Sequence, residues 1–448
     1  MSTTALLLLT AGSIGVLLLL VIALRMQAFI ALLVVSFIAA ILGGVPPSAV
    51  ADAVTEGMGN TLGYIAVVIG VGTMLGEMIQ ASGGASKIAS TIIRVFGERK
   101  AQWALALIGI IVATPVFFEV GLIIFIPLVY NLARRTGKSL LYYGIPLVGG
   151  MAVAHACIPP TPGPVAVSSI IGADLGWVIF FGVLAGAPAA AIGGVFFGNR
   201  IARRIHVAVP ETAEHKEDDT EGRKTPSFAM VVALIALPLV LILANTAGKI
   251  VLPEGSDLRG WISFIGHPFT ALTAALLLAF YFLGIRLGFS ADEVQRIATR
   301  SMEPVGMIIL LTGAGGVFAH ILVQTGVGDA LTEMMAATQL PILLFGFLIA
   351  VVIRVAQGSA TMAMVASAGL LAPIIQNGSF SEPMLGAITI AVACGATVLS
   401  HVNDSGFWLV NQLMGMTEAQ TLRSWTVMAT IVGVVGLAVV LLVAGVWL

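Results

Sequence analysis

Gly70, Gly72, Glu77, Ser82 and Gly83 recur as Gly313, Gly315, His320, Thr325 and Gly326, each 243 positions later. Behind each stretch comes an apolar segment interrupted by polar and helix-breaking residues. A second apolar segment then follows, interrupted in the same way. Paired interruptions in corresponding halves are the pattern of a transporter built from two repeats, whose discontinuous helices meet at a midplane substrate site.

The composition fits that reading. The chain has 448 residues, of which 58% are hydrophobic and only 10% charged. A soluble domain carries about 25% charged residues, so too few remain here to cover a wet surface. Apolar runs long enough to span about 30 Å recur throughout, which predicts an all-α polytopic membrane protein. The net charge of -1 does not suggest nucleic acid. Cys157 and Cys394 fall in apolar stretches without metal-ligand spacing and read as buried free thiols. The run Ala5–Leu24 lacks a basic start and reads as a first span rather than a signal peptide. Neither a GxxxxGK[ST] nor an HExxH motif occurs, so no ATP site, metal or other cofactor is expected.

The polar stretch Val207–Pro226 predicts a solvated cytoplasmic linker between membrane repeats at 1–206 and 227–448. Full spans are expected at about 4–24, 28–45, 61–82, 142–170 and 176–199. In the second half they fall at about 227–248, 261–284, 303–325, 384–413 and 425–447. Two apolar segments are left over, 101–133 and 339–377. The first would form a helix of about 50 Å, too long for one span. Arg94, Arg99 and Lys100 precede it, Arg134, Arg135 and Lys138 follow it, and Thr114-Pro115 breaks its middle. A re-entrant hairpin entering from the cytoplasm satisfies all of this. The second has acidic flanks and a Gly358-Ser359 break, and reads as a hairpin from the opposite side. Arg25, Arg94, Arg134, Arg204, Arg286, Arg296, Arg300 and Arg423 then all face the cytoplasm. Five spans per half make the second repeat inverted relative to the first, as alternating access requires. Amphipathic pieces at Ser86–Phe96 and Gly328–Ala337 read as interfacial arms, and suggest a homodimer.

The chemistry concentrates at four breaks. Two are hairpin tips, around Thr114 to Gly121 and Arg354 to Thr361. Two are broken spans, His155 to Pro164 and Ser400 to Gly406. Four prolines at 159–164 cannot continue a regular helix, so backbone N–H and C=O groups are freed there. Freed N–H groups at half-helix N-termini attract a carboxylate. Glu119 and Asp404 are ionisable groups in membrane segments and are candidates for proton coupling, with His155 and His401 as relays. Arg354 is a candidate carboxylate clamp. Thr114, Thr161, Gly163, Gln357, Ser359, Thr361, Asn403 and Asp404 complete the expected substrate site. Glu77 and His320, at matching repeat positions, read as packing near it.

These residues carry a resemblance. PVFFEVG at 115–121, PPTPGP at 159–164, RVAQGSAT at 354–361 and SHVNDSGFW at 400–408 resemble the gluconate permease (GntP) family of the ion transporter superfamily. The resemblance covers nearly the whole chain. It implies a multi-pass protein of the bacterial inner membrane that imports gluconate or a related hydroxy acid together with a proton. Members that carry gluconate often read Pro-Pro-His-Pro-Gly-Pro, where this chain has Thr161 in the histidine place. Gluconate, glycerate, 3-hydroxybutyrate and D-serine all remain open as substrates. A sodium-coupled carrier of the same fold is the nearest alternative. An intramembrane enzyme using His401 and Asp404 is disfavoured, because a hydrolase has no use for symmetric pairs of breaks.

Overall fold

The computed structural model describes residues 2–210, 225–303, 305–327, 330, 333, 340–402 and 404–447. The acidic stretch of the linker at 211–224, most of the arm at 328–337, and the site candidate Asn403 lie outside the described residues. Among the described residues every regular element is helical, with no strand. Nine of these helices are long and apolar enough to cross a bilayer. The chain is thus an all-α polytopic membrane protein.

Both leftover apolar segments break where helix chemistry demands it. Ala101–Ala113 stops ahead of Pro115, and Phe118–Thr136 starts beyond it. Ile342–Gln357 stops at Gly358, whose φ of 81° lies in the left-handed region that glycine enters without a Cβ penalty. Ser359 then caps Ala360–Asn377. The spans expected at 142–170 and 384–413 are each split, into Leu140–Cys157 with Pro162–Ile171, and Glu382–Thr397 with Ser405–Leu413. The helices of the two halves run in step. Those starting at Ala101, Phe118, Leu140, Pro162 and Leu175 have counterparts starting at Ile342, Ala360, Glu382, Ser405 and Glu418.

Glycines bring the broken spans against the hairpin helices. A Cβ on Gly150 would stand 2.1 Å from the Ala106 carbonyl oxygen, and one on Gly395 would stand 2.3 Å from that of Phe347. Such close backbone approach supplies the packing that lipid tails do not drive. Cys157 and Cys394 are buried and unbridged.

Two spans differ from their expected bounds. The one expected at 261–284 begins at Pro268, after a separate helix Asp257–Ile265. In place of a span at 61–82, a single helix runs Pro47–Ala81, 35 residues long. At 1.5 Å per residue it measures about 52 Å, so its first turns reach beyond a bilayer core of about 30 Å. Asp52, Glu56 and Asn60 are exposed there. Pro47 supplies the N-terminal turn. Gly57 lets this extension pack on Val305–Gln324, since a Cβ on it would come 2.8 Å from the Val317 Cα. Tertiary contact, not local apolarity, makes these turns helical. The arm expected at Ser86–Phe96 is the helix Gly84–Phe96, which buries Ile88 and Ile92 and exposes Arg94 and Val95.

Loop residue Asp174 clips the start of Leu175–Ala189 to Phe228–Val251. Its carboxylate accepts from Lys249 Nζ at 2.6 Å, Thr246 Oγ1 at 2.6 Å and its own helix's Gly176 N–H at 2.9 Å. Burial pushes the carboxyl up. The bonds from Lys249 and Thr246 outweigh this, and the net effect holds it below its usual value. A lowered folded value stabilises the fold above the unfolded value of about 4, and the contribution is lost as pH falls through the folded value. We therefore expect Asp174→Asn to lower the Tm of the detergent-solubilised protein at neutral pH. The gap to wild type should close below about pH 4, read from melting curves across pH. A gap that widens on acidification would refute the assignment.

Candidate functional site

The four breaks converge on a cavity of about 340 Å³. Its wall includes the first residues of four helices: Phe118 and Glu119, Pro162, Ala360 and Thr361, and Ser405 and Gly406. Backbone N–H groups in a first helical turn have no intrahelical acceptor, so these ends are partially positive, although Pro162 and Pro164 have no N–H to offer and Asp404 already caps the Ser405 end. Proline and glycine chemistry puts three of them there, and the fourth follows the turn at Val398 and Leu399, where Leu399 has a φ of 53°.

Arg354 lies in the last turn of Ile342–Gln357 and is only 4% exposed. Its Nη1 donates to the Gly358 carbonyl at the tip. Its Nη2 donates to Asp404 Oδ2 across the cavity wall. Its Nε is buried without a partner. Asp404 caps the helix Ser405–Leu413, with Oδ1 accepting the Gly406 N–H at 3.0 Å. Oδ2 also accepts from Ser400 Oγ, which in turn accepts from Trp425 Nε1 at 2.6 Å. Trp425 reaches the cavity from a π-helical turn, Leu422–Thr426, a local widening often found at functional sites.

Gln357 lines the same space with both amide atoms unpartnered, and His155 lines it with Nδ1 buried and unpartnered. Glu119 projects from the first turn of Phe118–Thr136, where the helix N-terminus favours a carboxylate. The cavity therefore offers one guanidinium, two carboxyl groups, an imidazole, an amide and the hydroxyls of Ser359, Thr361, Ser400 and Ser405.

Seven candidates from the sequence come together here: Glu119, His155, Arg354, Gln357, Ser359, Thr361 and Asp404. Thr114 and Thr161 line a smaller void of about 20 Å³ behind it, with His155 in the shared wall. Their hydroxyls donate to backbone carbonyls of Ile110 at 2.8 Å and Ile158 at 2.7 Å. Gly163 lines neither space and abuts Met364, whose Sδ would lie 2.5 Å from an added Cβ. His401 also lines neither; its Nε2 meets the Val355 carbonyl at 3.0 Å. Glu77 and His320 lie outside the cavity, and His320 faces Glu56 at 3.4 Å. Ser400 and Trp425 were not singled out. Ser400 opens the motif SHVNDSGFW, whereas Trp425 is an aromatic in an apolar run with no local signal.

The family model for the GntP family permease matches residues 4–446. The chain is 42% identical over 436 residues to the low-affinity gluconate transporter of Escherichia coli (strain K12), covering 97% of both. It is 39% identical over 421 residues to a gluconate permease of Pseudomonas aeruginosa, covering 94% of this chain and 93% of that protein. It is 35% identical over 435 residues to the Gnt-II system L-idonate transporter of Escherichia coli (strain K12), covering 97% of this chain and 98% of that one. Among solved structures, the YdaH transporter of Alcanivorax borkumensis superposes with a TM-score of 0.59 at 16% identity, covering 90% of each chain, which shows a shared fold. The protein is thus a transporter rather than an enzyme, and a multi-pass protein of the bacterial inner membrane. By motifs, helices and whole-length likeness together, the chain belongs to the GntP permease family.

Proposed function

We propose that this protein imports gluconate or a closely related small hydroxy acid by proton symport. Residues 1–206 and 227–448 act as inverted repeats that give the cavity alternating access to the two sides. The observation that carries this reading is the meeting of four helix N-termini and one buried guanidinium in a space that also holds two carboxyl groups. The positive ends and Arg354 suit a carboxylate. Ser359, Thr361 and Gln357 suit the hydroxyls of a polyol tail, with Thr161 and Asn403 near the breaks. The names of the relatives, gluconate and L-idonate carriers, agree with that chemistry.

Charge supplies the reason for a proton. With both carboxyl groups ionised, the cavity already exceeds its one guanidinium by one negative charge. An anionic acid adds another, and such a site is costly to carry through a low-dielectric region. One proton bound with the acid restores the charge of the unloaded state. His155 lies in the wall beside both carboxyl groups and His401 beside the second tip, as relays.

The test is uptake of labelled gluconate and glycerate into proteoliposomes, with an inward proton gradient and no sodium. Accumulation several-fold above equilibrium, abolished by a protonophore, is the expected result. Accumulation that needs Na⁺ and ignores the proton gradient would overturn the coupling. Failure with every hydroxy acid tried would overturn the substrate class.

A further inference from the structure

We infer that Asp404 is an internal stand-in for the substrate's carboxylate on Arg354, displaced by the arriving acid and protonated as it leaves. The inference rests on reading the cavity as an organic-acid site, and names the residue that couples acid to proton.

The guanidinium carries its donors in a fixed fork. Nη1 is committed to the Gly358 carbonyl, which fixes the plane of the group. The remaining edge is Nε with Nη2, whose parallel N–H groups match the two oxygens of one carboxylate. In the structure this edge is half used. Nη2 meets Asp404 Oδ2, while Nε is buried with no partner. Asp404 does not take both, because its other oxygen is turned to the Gly406 N–H as helix cap. A free carboxylate has no such commitment. It can accept from Nε and Nη2 together, and so make two charge-assisted bonds where Asp404 makes one.

Asp404 has a second partner ready when it leaves. Ser400 Oγ, held from behind by Trp425 Nε1, stays within reach of Oδ2. Once displaced, Asp404 has no cation, since Arg354 is the only Lys or Arg lining the cavity among the described residues. The other titratable groups in the cavity wall are Glu119 on the first hairpin and His155 on the first broken span; His401, on its own loop, turns its ring to the Val355 carbonyl. The exchange balances. An ionised acid and a proton enter, the guanidinium stays paired, and an O–H bond forms on Asp404 Oδ2 with Ser400 Oγ as its acceptor. Glu119 lies in the same cavity but shares no cation with the acid. Its protonation is therefore not linked to binding by direct exchange.

The full-length protein in nanodiscs, titrated with gluconate by calorimetry from pH 5.5 to 8 in two buffers of different ionisation enthalpy, tests this. Wild type should take up about one proton per gluconate, and its Kd should rise about tenfold per pH unit where uptake is complete. Asp404→Asn should bind gluconate with a Kd that no longer changes with pH, and with no proton uptake. Uptake that persists in Asp404→Asn, or that vanishes in Glu119→Gln while Asp404→Asn keeps it, overturns the inference. If Asp404→Asn does not fold, infrared difference spectra of wild type decide the matter: a new protonated-carboxyl band on gluconate addition supports the inference, and its absence overturns it. Gluconate that binds without proton uptake sinks this inference alone. Gluconate that binds neither wild type nor variant sinks the functional reading, and this inference with it.

Discussion

We expect Arg354→Ala to weaken gluconate binding by two orders of magnitude or more and to lower the Tm of the unliganded protein as well. The side chain is 4% exposed and ties the second hairpin tip to the second broken span through Gly358 and Asp404. Breaking a buried pair from one side costs about 3–5 kcal/mol, because the remaining charge is left uncompensated. At about 1.4 kcal/mol per tenfold, that exceeds a hundredfold. Arg354→Lys separates charge from geometry. Lysine keeps the cation but has no fork, so it cannot satisfy Gly358 and two carboxylate oxygens at once. We expect Arg354→Lys to retain most of the thermal stability and to bind gluconate about tenfold or more weakly, the worth of one charge-assisted hydrogen bond. Ligand-dependent melting shifts would show it. Equal affinity for lysine and arginine would mean that the guanidinium does not hold the acid.

The second large effect lies at Gly76, on the long helix Pro47–Ala81. A Cβ there would stand 1.8 Å from the Pro115 carbonyl oxygen and 2.7 Å from its carbon. Both atoms are backbone at the first hairpin tip, so no side chain can swing away. Gly76→Ala must push the tip back, at about 1–3 kcal/mol or more for overpacking. Phe117, Phe118 and Glu119 follow Pro115 directly into the cavity wall and move with it. The expected result is a clear fall in Tm together with loss of transport. Gly63, on the same helix, is the control, since nothing lies within 4 Å of an added Cβ. Gly63→Ala removes backbone freedom from the unfolded chain and should raise stability by about 0.5–1 kcal/mol. If both variants behave alike, contact with the hairpin tip is not what distinguishes them.

The breaks were legible because their causes are local. Pro115, the prolines at 159–164 and the Gly358-Ser359 pair interrupt a helix whatever surrounds them, so three of the four interruptions stand where the sequence puts them. Charged side chains at those breaks were legible for the same reason, since few other roles exist for Glu119, Arg354 or Asp404 inside a membrane. Long-range facts were not legible. The turns at 47–60 look polar and loop-like until Gly57 is seen packed on Val317. Thr161 sits in a break, yet its hydroxyl turns to the Ile158 carbonyl and to the smaller void. A short polar side chain bonding to its own backbone is invisible to spacing alone. Trp425 enters the site only because a π turn aims it there.

The helices of the two halves keep step, but the charges at the cavity do not. By the paired helix starts, Ala113 is the twin of Arg354, Thr361 the twin of Glu119, and Thr161 the twin of Asp404. Each charged group is thus present once, with an uncharged residue in its twin position. A duplicated frame would offer two interchangeable ways to hold the same acid; this one offers one. On the function proposed above, the headgroup meets Arg354 and the hydroxyls of the tail meet Gln357, Ser359 and Thr361, all on the second half, while the first half contributes Glu119. On that proposal, opening toward either side changes the route in and out, while the bound molecule keeps a single heading relative to the membrane.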